Sequence, residues 1–290
     1  MGQRVAGLLS RSERTRAPVL APVRKGTAVL ALTSSADRRA GLRAQGIVPL
    51  LGNLDNPSTL ARLAGIATRV VHLAPPPQHG WTDPRTLALL RALRRRALPA
   101  AVVYGSTSGV YGDCTGAWVD ETRALNATTP RAVRRVDAEQ QLRFWARSSG
   151  ARVNTLRIPG IYAQDRDGGT PRERLLKGTP VLQQQDDVYA NHIQADDLAR
   201  ACVAALWKGR PLRTYNVSDD TELKMGDYFD LAADLYGLPR PPRVARQGAE
   251  AQLPVMLLSF MSESRRLINT RMKTELGVKL RYPTVRVGLL

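Results

Sequence analysis

The sequence predicts an α/β protein with a Rossmann-type, doubly wound parallel sheet and a small C-terminal lobe. Short apolar runs alternate with helical stretches over residues 27–158, and this alternation is typical of parallel sheets covered by helices on both faces. Beyond Pro159 the alternation stops, and a proline cluster at 239–242 indicates a bend. These observations divide the chain into a main domain, residues 1–158 and 192–218, and a small lobe, residues 159–191 and 219–290.

The individual elements follow from apolar runs, helical spacing and end signals. Strands are predicted where apolar residues stand together between turn residues. Helices are predicted where apolar residues recur at helical spacing, with Asn56 as a cap and Pro84 in a first turn. The predicted strands are 27–33, 47–51, 69–74, the run from 101, 152–158 and 214–217. The predicted helices are 36–45, 57–64, 83–96, 131–148, 196–207 and 225–236.

Composition excludes several classes of protein. The 290-residue chain is 43% hydrophobic and has no apolar stretch of about 18 residues, so no membrane span is expected. Its two cysteines, Cys114 and Cys202, follow no metal-ligand or disulfide pattern, which indicates a reducing compartment, the cytoplasm, and no metal site. The net charge of +18 comes mainly from arginines on different predicted elements with no interleaved aromatic residues, so nucleic acid is not expected as a partner.

The segment 101–113 is the centre of the predicted site. It reads A-V-V-Y-G-S-T-S-G-V-Y-G-D, an apolar strand that breaks abruptly into Gly, Ser and Thr. In an open α/β sheet the ligand binds beyond the carboxyl ends of the strands, so hydroxyls at this strand end point at a cofactor or a substrate. A Ser/Gly turn after a core strand gives the same pattern, and this segment alone does not separate the two interpretations.

Several motifs recur in an order that is typical of one superfamily. S-T-S-G-V-Y-G-D at 106–113, followed by V-D-E at 119–121, is one of them, and L-R-I-P-G-I-Y at 156–162 is the next. N-H-I-Q-A-D-D-L-A at 191–199 and Y-N-V-S-D-D at 215–220 follow. In this order they resemble the extended short-chain dehydrogenase/reductase superfamily, and within it the NAD-dependent epimerase/dehydratase family, over roughly residues 27–290.

The resemblance implies a catalytic Ser/Thr, Tyr and Lys, in which the Tyr transfers a proton and the Lys lowers the pKa of that Tyr. Counting from the motifs, Thr107 takes the Ser/Thr position, whereas Arg131 and Arg135 stand where the Tyr and the Lys are expected. An arginine stays charged near pH 7 and cannot serve as the usual proton donor. The chain therefore departs from the Y-x-x-x-K pattern of the family.

This departure leaves three alternatives for the chemistry. Tyr111 substitutes as the acid, the protein binds a dinucleotide without turnover, or other groups such as Asp120 or His192 act instead. The resemblance implies an NAD(P)-dependent oxidoreductase or epimerase that acts on a nucleotide-sugar-like or other anionic small molecule, and the alternative is a non-catalytic dinucleotide-binding sensor or scaffold. Ser108, His192 and Arg166 are the predicted substrate-binding residues, although His192 also suits a structural role. A homodimer is one assembly that the family suggests.

The cofactor is expected to be NADP or NAD. An acidic residue at the end of the second strand binds the ribose of NAD, and an arginine accommodates the 2′-phosphate of NADP. Here Thr33 and Ser34 end the strand and Arg38 follows, with no acid at the strand end, which favours NADP, although Arg38 also suits a solvated helix face. By resemblance, the other cofactor contacts are Asn53 and Leu54 beside the adenine, Leu73 and Ala74 beside the pyrophosphate, and Pro159 and Ile161 beside the nicotinamide.

The start of the chain departs from the family as well. The family opens with a strand that ends in a G-x-x-G-x-x-G turn, whose backbone N–H groups bind the pyrophosphate. M-G-Q-R-V-A at 1–6 resembles the end of that turn, with Gly2 as the third glycine, while the strand and the first two glycines are missing. The hypothesis is that the natural start lies upstream. Residues 17–23 are a candidate to replace the strand, but their two prolines cannot donate to a ladder.

Overall fold

The computed structural model describes residues 1–11, 28–249, 253, 257–258 and 261–290, so the candidate segment 17–23 lies outside the described residues. The numbered helices are α1 (Gly2–Arg11), α2 (Arg38–Ala44), α3 (Pro84–Leu93), α4 (Pro130–Ser149), α5 (Arg172–Leu176), α6 (Ala195–Lys208) and α7 (Met225–Tyr236). Short helices lie at Pro57–Leu63, Ser108–Tyr111, Thr270–Glu275 and Val285–Gly288. The strands are β1 (Leu30–Thr33), β2 (Val48–Leu51), β3 (Arg69–His72), β4 (Ala101–Thr107), β5 (Trp118–Val119), β6 (Arg152–Ile158), β7 (Gly160–Tyr162), β8 (Val181–Leu182), β9 (Tyr189–Ala190), β10 (His192–Gln194), β11 (Arg213–Asn216), β12 (Leu223–Lys224), β13 (Arg243–Val244) and β14 (Arg266–Leu267).

A four-stranded parallel sheet forms the centre of the molecule, in the order β11-β6-β4-β3. The pairing of β4 with β6 is in register along all seven residues, from Ala101 opposite Arg152 to Thr107 opposite Ile158. The first six residues of β4 are buried, because helices cover both faces of this strand. Helix α6 packs on one face, and α3 and α4 pack on the other. The predicted doubly wound parallel sheet is therefore confirmed.

Strands β1 and β2 form a separate two-stranded parallel sheet. Among the described residues no strand joins β1 to β3, and helices make the connection instead. On one face Val5 of α1 packs with α6 while Ala6 packs with α2. On the other face Leu32 of β1 packs with the Pro57–Leu63 helix and with α3. The two sheets are thus held together by side-chain packing, without a hydrogen-bonded ladder between them.

Most predicted elements are confirmed, with ends that differ by one to three residues in either direction. The structure reproduces β6 and α7 at their predicted bounds, and the strand predicted over 69–74 ends at His72. The helix predicted over 57–64 is a 3₁₀ helix that begins after Asn56, whose side chain makes no capping hydrogen bond.

The C-terminal lobe is built from short strand pairs around α7. Tyr162, Leu175 and Val181 pack with Tyr228 and Phe229 of α7 in its core. The last part of the chain returns to the main domain, since β14 pairs with β5 and the residues Met272, Leu276 and Val278 pack against α6. The division at residues 219–290 remains a prediction, and residues 266–280 share the core of the main domain.

Two classes of feature are absent from the part of the chain that the structure describes. It contains no helix that combines the length and the apolarity needed to cross a bilayer. It also contains no group of three or more His, Cys, Asp or Glu side chains arranged to hold a metal ion.

Candidate functional site

The carboxyl end of β4 turns directly into the Ser108–Tyr111 helix. Thr107 makes this turn, because its hydroxyl oxygen accepts a hydrogen bond from the backbone N–H of Gly109 at 3.2 Å. Gly112 ends the short helix at φ 66°, and a Cβ there would collide with the carbonyl oxygen of Asn126. The Thr107 side chain stays partly exposed, whereas Ser108 is buried. Of the two predicted hydroxyls, only Thr107 is open to a ligand.

Helix α4 brings its first two turns next to this strand end. Thr129 caps the helix by accepting a hydrogen bond from the N–H of Ala132, and Pro130 occupies the first turn, where its missing N–H costs nothing. A Cβ on Gly109 would lie 3.7 Å from that of Ala132, so the turn after Thr107 packs on the helix start. Arg131 and Arg135 are therefore carried to the end of β4, as predicted.

Arg135 is 7% exposed and is fixed against β4 and the residues just after β3. Its Nη1 donates to the carbonyl oxygen of Gly105 at 2.7 Å, to the hydroxyl of Tyr104 at 3.0 Å and, more weakly, to the carbonyl oxygen of Ala74 at 3.4 Å. The guanidinium carbon lies 5.5 Å from the centre of the Tyr104 ring. The structure thus brings together Arg135, which the sequence analysis assigned to catalysis, and Ala74, which it assigned to cofactor binding.

Arg134, next to Arg135 on α4, is a buried arginine that the sequence analysis did not assign to the site. It is 6% exposed and donates from Nη1 to the carbonyl oxygen of Gly80 at 2.7 Å. Arg131, one turn earlier, is exposed. Partial desolvation, followed by the charges of Arg135 and Arg134, lowers the pKa of Arg131, although an arginine remains protonated at neutral pH. Arg131, Arg134 and Arg135 have the spacing i, i+3, i+4, which places three cations on one helix face. That spacing is the sequence signal from which Arg134 could have been found.

Tyr111 lies in the core, which does not support the hypothesis that it acts as the acid. Its side chain is 1% exposed, and its hydroxyl donates to Oδ1 of Asn216 at 2.7 Å. The guanidinium carbon of Arg157 lies 4.8 Å from the ring centre. Burial raises the pKa of Tyr111 to about 12, against a lowering by Arg157. The first of the three alternatives therefore has no geometric support.

We expect Tyr111→Phe to lower the free energy of unfolding by about 1–3 kcal/mol, because it leaves Oδ1 of Asn216 buried without a donor, and to leave any turnover unchanged. Urea unfolding and an activity assay measure the two effects. Tyr282→Phe is the control, since the Tyr282 hydroxyl bonds to no described residue. Loss of turnover at unchanged stability would restore Tyr111 as the acid.

His192 is buried among aromatic rings in the C-terminal lobe. Its ring centre lies 4.2 Å from that of Tyr228 and 6.3 Å from that of Tyr162. Burial lowers the pKa of His192 to about 4, so the ring is neutral at physiological pH. Only 9% of the residue is exposed, which favours the structural role for His192 over the substrate-binding role.

The predicted pyrophosphate side forms around the start of α1. Arg4 forms ion pairs with Asp165 and Asp196, which hold this helix against the loop after β7 and the start of α6. Arg166 donates to the carbonyl oxygen of Ile161 at 2.6 Å. Burial lowers the pKa of the Met1 amine most, and the charge of Arg166 is the second largest cause. Gly2, Ile161 and Arg166, which the sequence assigned separately, are therefore neighbours.

The predicted adenine side lies at the ends of β1 and β2. The Thr33 hydroxyl bonds back to the N–H of Ser35 at 3.3 Å and turns the chain, which leaves Ser34 and Arg38 exposed. Asn53 is exposed in the next turn, whereas Leu54 packs against the core. These strand ends present a hydroxyl and a guanidinium to the solvent, as the NADP hypothesis requires.

Leu73 and Pro159, two of the predicted cofactor contacts, come directly after β3 and β6. Leu73 lies so close to Gly105 that a Cβ there would come within 2.7 Å of its side chain. Pro159 is partly exposed between β6 and β7. A separate cavity of about 240 Å³ lies beside β5 and β14, between Trp118 and Asp219, and none of the predicted site residues lines it.

Strand ends with exposed hydroxyls, arginines at one edge and a helix start beside them define a nucleotide-cofactor-binding α/β protein. Over residues 22–218 the chain matches the model of the NAD dependent epimerase/dehydratase family. The chain belongs to this family, as its motifs predicted.

Individual relatives agree with this assignment. A curated protein of Methanocaldococcus jannaschii, provisionally named as a UDP-glucose 4-epimerase, is 22% identical over 155 residues. That match covers 50% of each chain, so this chain spans about half the length of that curated relative. A functionally unknown conserved protein from Silicibacter pomeroyi DSS has a solved structure with 33% identity and a TM-score of 0.80, over 100% of this chain and 93% of that one.

A double mutant of dTDP-glucose 4,6-dehydratase from Streptomyces venezuelae, solved with NAD bound, has a TM-score of 0.75 at 20% identity. The comparison covers 99% of this chain and 91% of that one, and it shows a shared fold.

Proposed function

We propose that this chain binds a nicotinamide dinucleotide and acts as an oxidoreductase or epimerase on a nucleotide-sugar-like or other anionic small molecule. The observation that carries the proposal is the chemistry at the ends of β1, β4 and β6. Thr33 and Thr107 are the last residues of β1 and β4, Pro159 follows β6, and all three are partly exposed. Ligands of open α/β sheets bind at that edge. The names of the relatives, a UDP-glucose 4-epimerase and a dehydratase solved with NAD, support the same class of reaction.

The residues fit the cofactor at both of its ends. The first N–H groups of a helix have no partner within the helix, and the start of α1 lies near Arg166, a combination that suits a pyrophosphate. Ser34 and Arg38 suit the adenosine end. When bound, the nicotinamide ring supplies a hydride acceptor and donor. Within the chain, the Thr107 hydroxyl is placed to hydrogen-bond a substrate oxygen, and Arg131 and Arg135 supply positive charge in place of a proton-transferring pair.

The alternative is a non-catalytic dinucleotide-binding sensor or scaffold. The arrangement of Arg135 favours it, because the guanidinium that stands at the Lys position is already bonded to Gly105 and Tyr104. Calorimetric titration of the purified chain with NADP and with NAD tests both functions together. Binding heat with NADP or with NAD supports a dinucleotide site. Absence of heat with both cofactors would reject the enzyme and the sensor alike. Turnover of a candidate sugar nucleotide then separates the enzyme from the sensor.

For the preference between cofactors, we expect Arg38→Ala to weaken NADPH binding about 10–100-fold while NADH binding changes little. A charge-assisted hydrogen bond to a 2′-phosphate contributes about 1.5–3 kcal/mol, and NADH lacks that group. Titration of both cofactors measures the difference. Arg43→Ala, an exposed arginine on the same helix, is the matched control. Equal losses for both cofactors in Arg38→Ala would contradict the NADP preference.

Assembly and location stay predictions. Phe144 on α4 is 72% exposed and Leu87 on α3 is 36% exposed, and an apolar helix face of this kind suits the homodimer that the family suggests. Cys114 and Cys202 are both free and buried, in keeping with the cytoplasmic location predicted from them.

A further inference from the structure

The arginines on the first two turns of α4 have no counter-ion among the described residues. The described part of the chain has four arginines that are less than 9% exposed: Arg134, Arg135, Arg157 and Arg200. Arg157 is paired with Glu139 at 2.9 Å and Arg200 with Asp197 at 2.7 Å. Arg134 and Arg135 form no ion pair with any described residue, and they donate only to neutral oxygens. A buried charge is costly unless it is paired. Arg134 and Arg135 carry this cost, whereas Arg157 and Arg200 are paired.

The carboxylates close to this face are already engaged. Asp83 accepts hydrogen bonds from the N–H and the hydroxyl of Thr86. Asp137 accepts from the N–H of Asp83 and from the side chain of Gln141. Glu139 is bonded to Arg157 and to Ser106. None of these carboxylates forms an ion pair with Arg134 or Arg135, and the donors of Asp83 and Asp137 are neutral groups.

The arginines also retain unused donors in a fixed position. In both Arg134 and Arg135 the bonds to backbone oxygens come from Nη1, and Nε of each is buried with no hydrogen-bond partner among the described residues. The Nε–Nη2 edge of a guanidinium matches the two oxygens of a carboxylate or a phosphate. Arg131 adds a third, exposed cation one turn earlier on the same face, and the partly exposed Thr107 lies beside this turn.

We propose that Arg131, Arg134 and Arg135 form a binding site for an oxyanion, a carboxylate or a phosphate carried by the substrate beside Thr107. The site rests on the proposed function for its substrate, but the charge arrangement exists without the dinucleotide. The guanidinium groups that replace the usual Tyr and Lys then select an acidic substrate group instead of moving a proton.

The test is titration of the whole chain, without dinucleotide, with sodium phosphate and with sodium malonate at constant ionic strength, followed by calorimetry and by thermal stability. We expect saturable binding of at least one anion, and at least tenfold weaker binding in Arg131→Met, a change of about 1.4 kcal/mol. Arg147→Met is the matched control, because Arg147 is an exposed arginine near the other end of α4. Arg131 is the chosen position because it is exposed, so its replacement preserves the fold.

Saturable binding that Arg131→Met weakens and Arg147→Met does not would support the site, and the tighter anion would identify the group. Absence of saturable binding, or equal losses in the two variants, would overturn it. A separate NADP titration keeps the two proposals distinct, since anion binding without dinucleotide binding would retain this site and reject the proposed function.

Discussion

Glu139→Gln is expected to lower the free energy of unfolding by about 3–5 kcal/mol, because it leaves the charge of Arg157 buried without a counter-ion. Both side chains are 3% exposed and 2.9 Å apart. Glu139 also accepts a hydrogen bond from the hydroxyl of Ser106 at 2.6 Å. One carboxylate therefore joins β4, α4 and β6 immediately behind Thr107, and its loss should loosen the strand end that carries the site.

Urea unfolding of the wild type and of three variants measures this effect. The double variant Glu139→Met with Arg157→Met should recover most of the stability, because it removes both charges together. Asp234→Asn breaks the exposed pair with Arg240 and should leave the urea midpoint unchanged. A loss below about 1 kcal/mol in Glu139→Gln, the range typical of exposed pairs, would contradict the buried network.

Asp219→Asn is expected to remove a large pH dependence of stability. Asp219 is 4% exposed, and its Oδ2 has no hydrogen-bond partner among the described residues, while Oδ1 accepts from the N–H of Thr221. Burial raises the pKa of Asp219 to about 7, although hydrogen bonding by Thr221 opposes the shift and the charge of Asp220 adds to it. The ordinary pKa of an aspartate in an unfolded chain is about 4.

The sign follows from proton binding. Between about pH 4 and pH 7 the folded protein holds a proton on Asp219 that the unfolded chain releases, so stability falls as the pH rises through this window and is constant above it. Three pKa units correspond to about 4 kcal/mol at most. Asn cannot ionise and keeps an acceptor for the N–H of Thr221, so the variant should match the wild type near pH 4 and exceed it near pH 8.

Urea unfolding at pH 4.5, 6 and 8 measures the difference between variant and wild type. Asp167→Asn, at an exposed loop position, is the control and should follow the wild type at every pH. A constant difference between Asp219→Asn and the wild type across the three pH values would show that Asp219 is ionised throughout in the folded protein.

The sequence predicted the position of a side chain within its own helix or strand. It did not predict which distant residues that side chain contacts. The sequence predicted Thr107 at a strand end, and it is there and partly exposed. Tyr111 is four residues away, yet its hydroxyl is bonded to Asn216, 105 positions along the chain. Local spacing does not reveal that partner. The burial of Tyr111, which argues against its role as the catalytic acid, therefore could not be seen in the sequence.

The arginines show the same division. Their positions on α4 and the loss of the Y-x-x-x-K pattern were visible in the sequence. The sequence did not reveal that Arg135 would reach Gly105 on β4 and Ala74 after β3, or that Arg134 would join it. Whether a cation is paired depends on which carboxylates other elements bring to it, and Glu139, four residues beyond Arg135 on the same helix, turns to Arg157 instead.

By itself the sequence determined the alternation of strands and helices, the parallel sheet and the family, and it predicted the strand ends that we propose as the cofactor site, because apolar periodicity and strand-end chemistry are local properties. The tertiary structure alone decided that Tyr111, His192 and Asp219 are buried, and that two arginines have no counter-ion among the described residues. These properties depend on burial and on partners far apart in the chain, and both come into existence only when the elements pack.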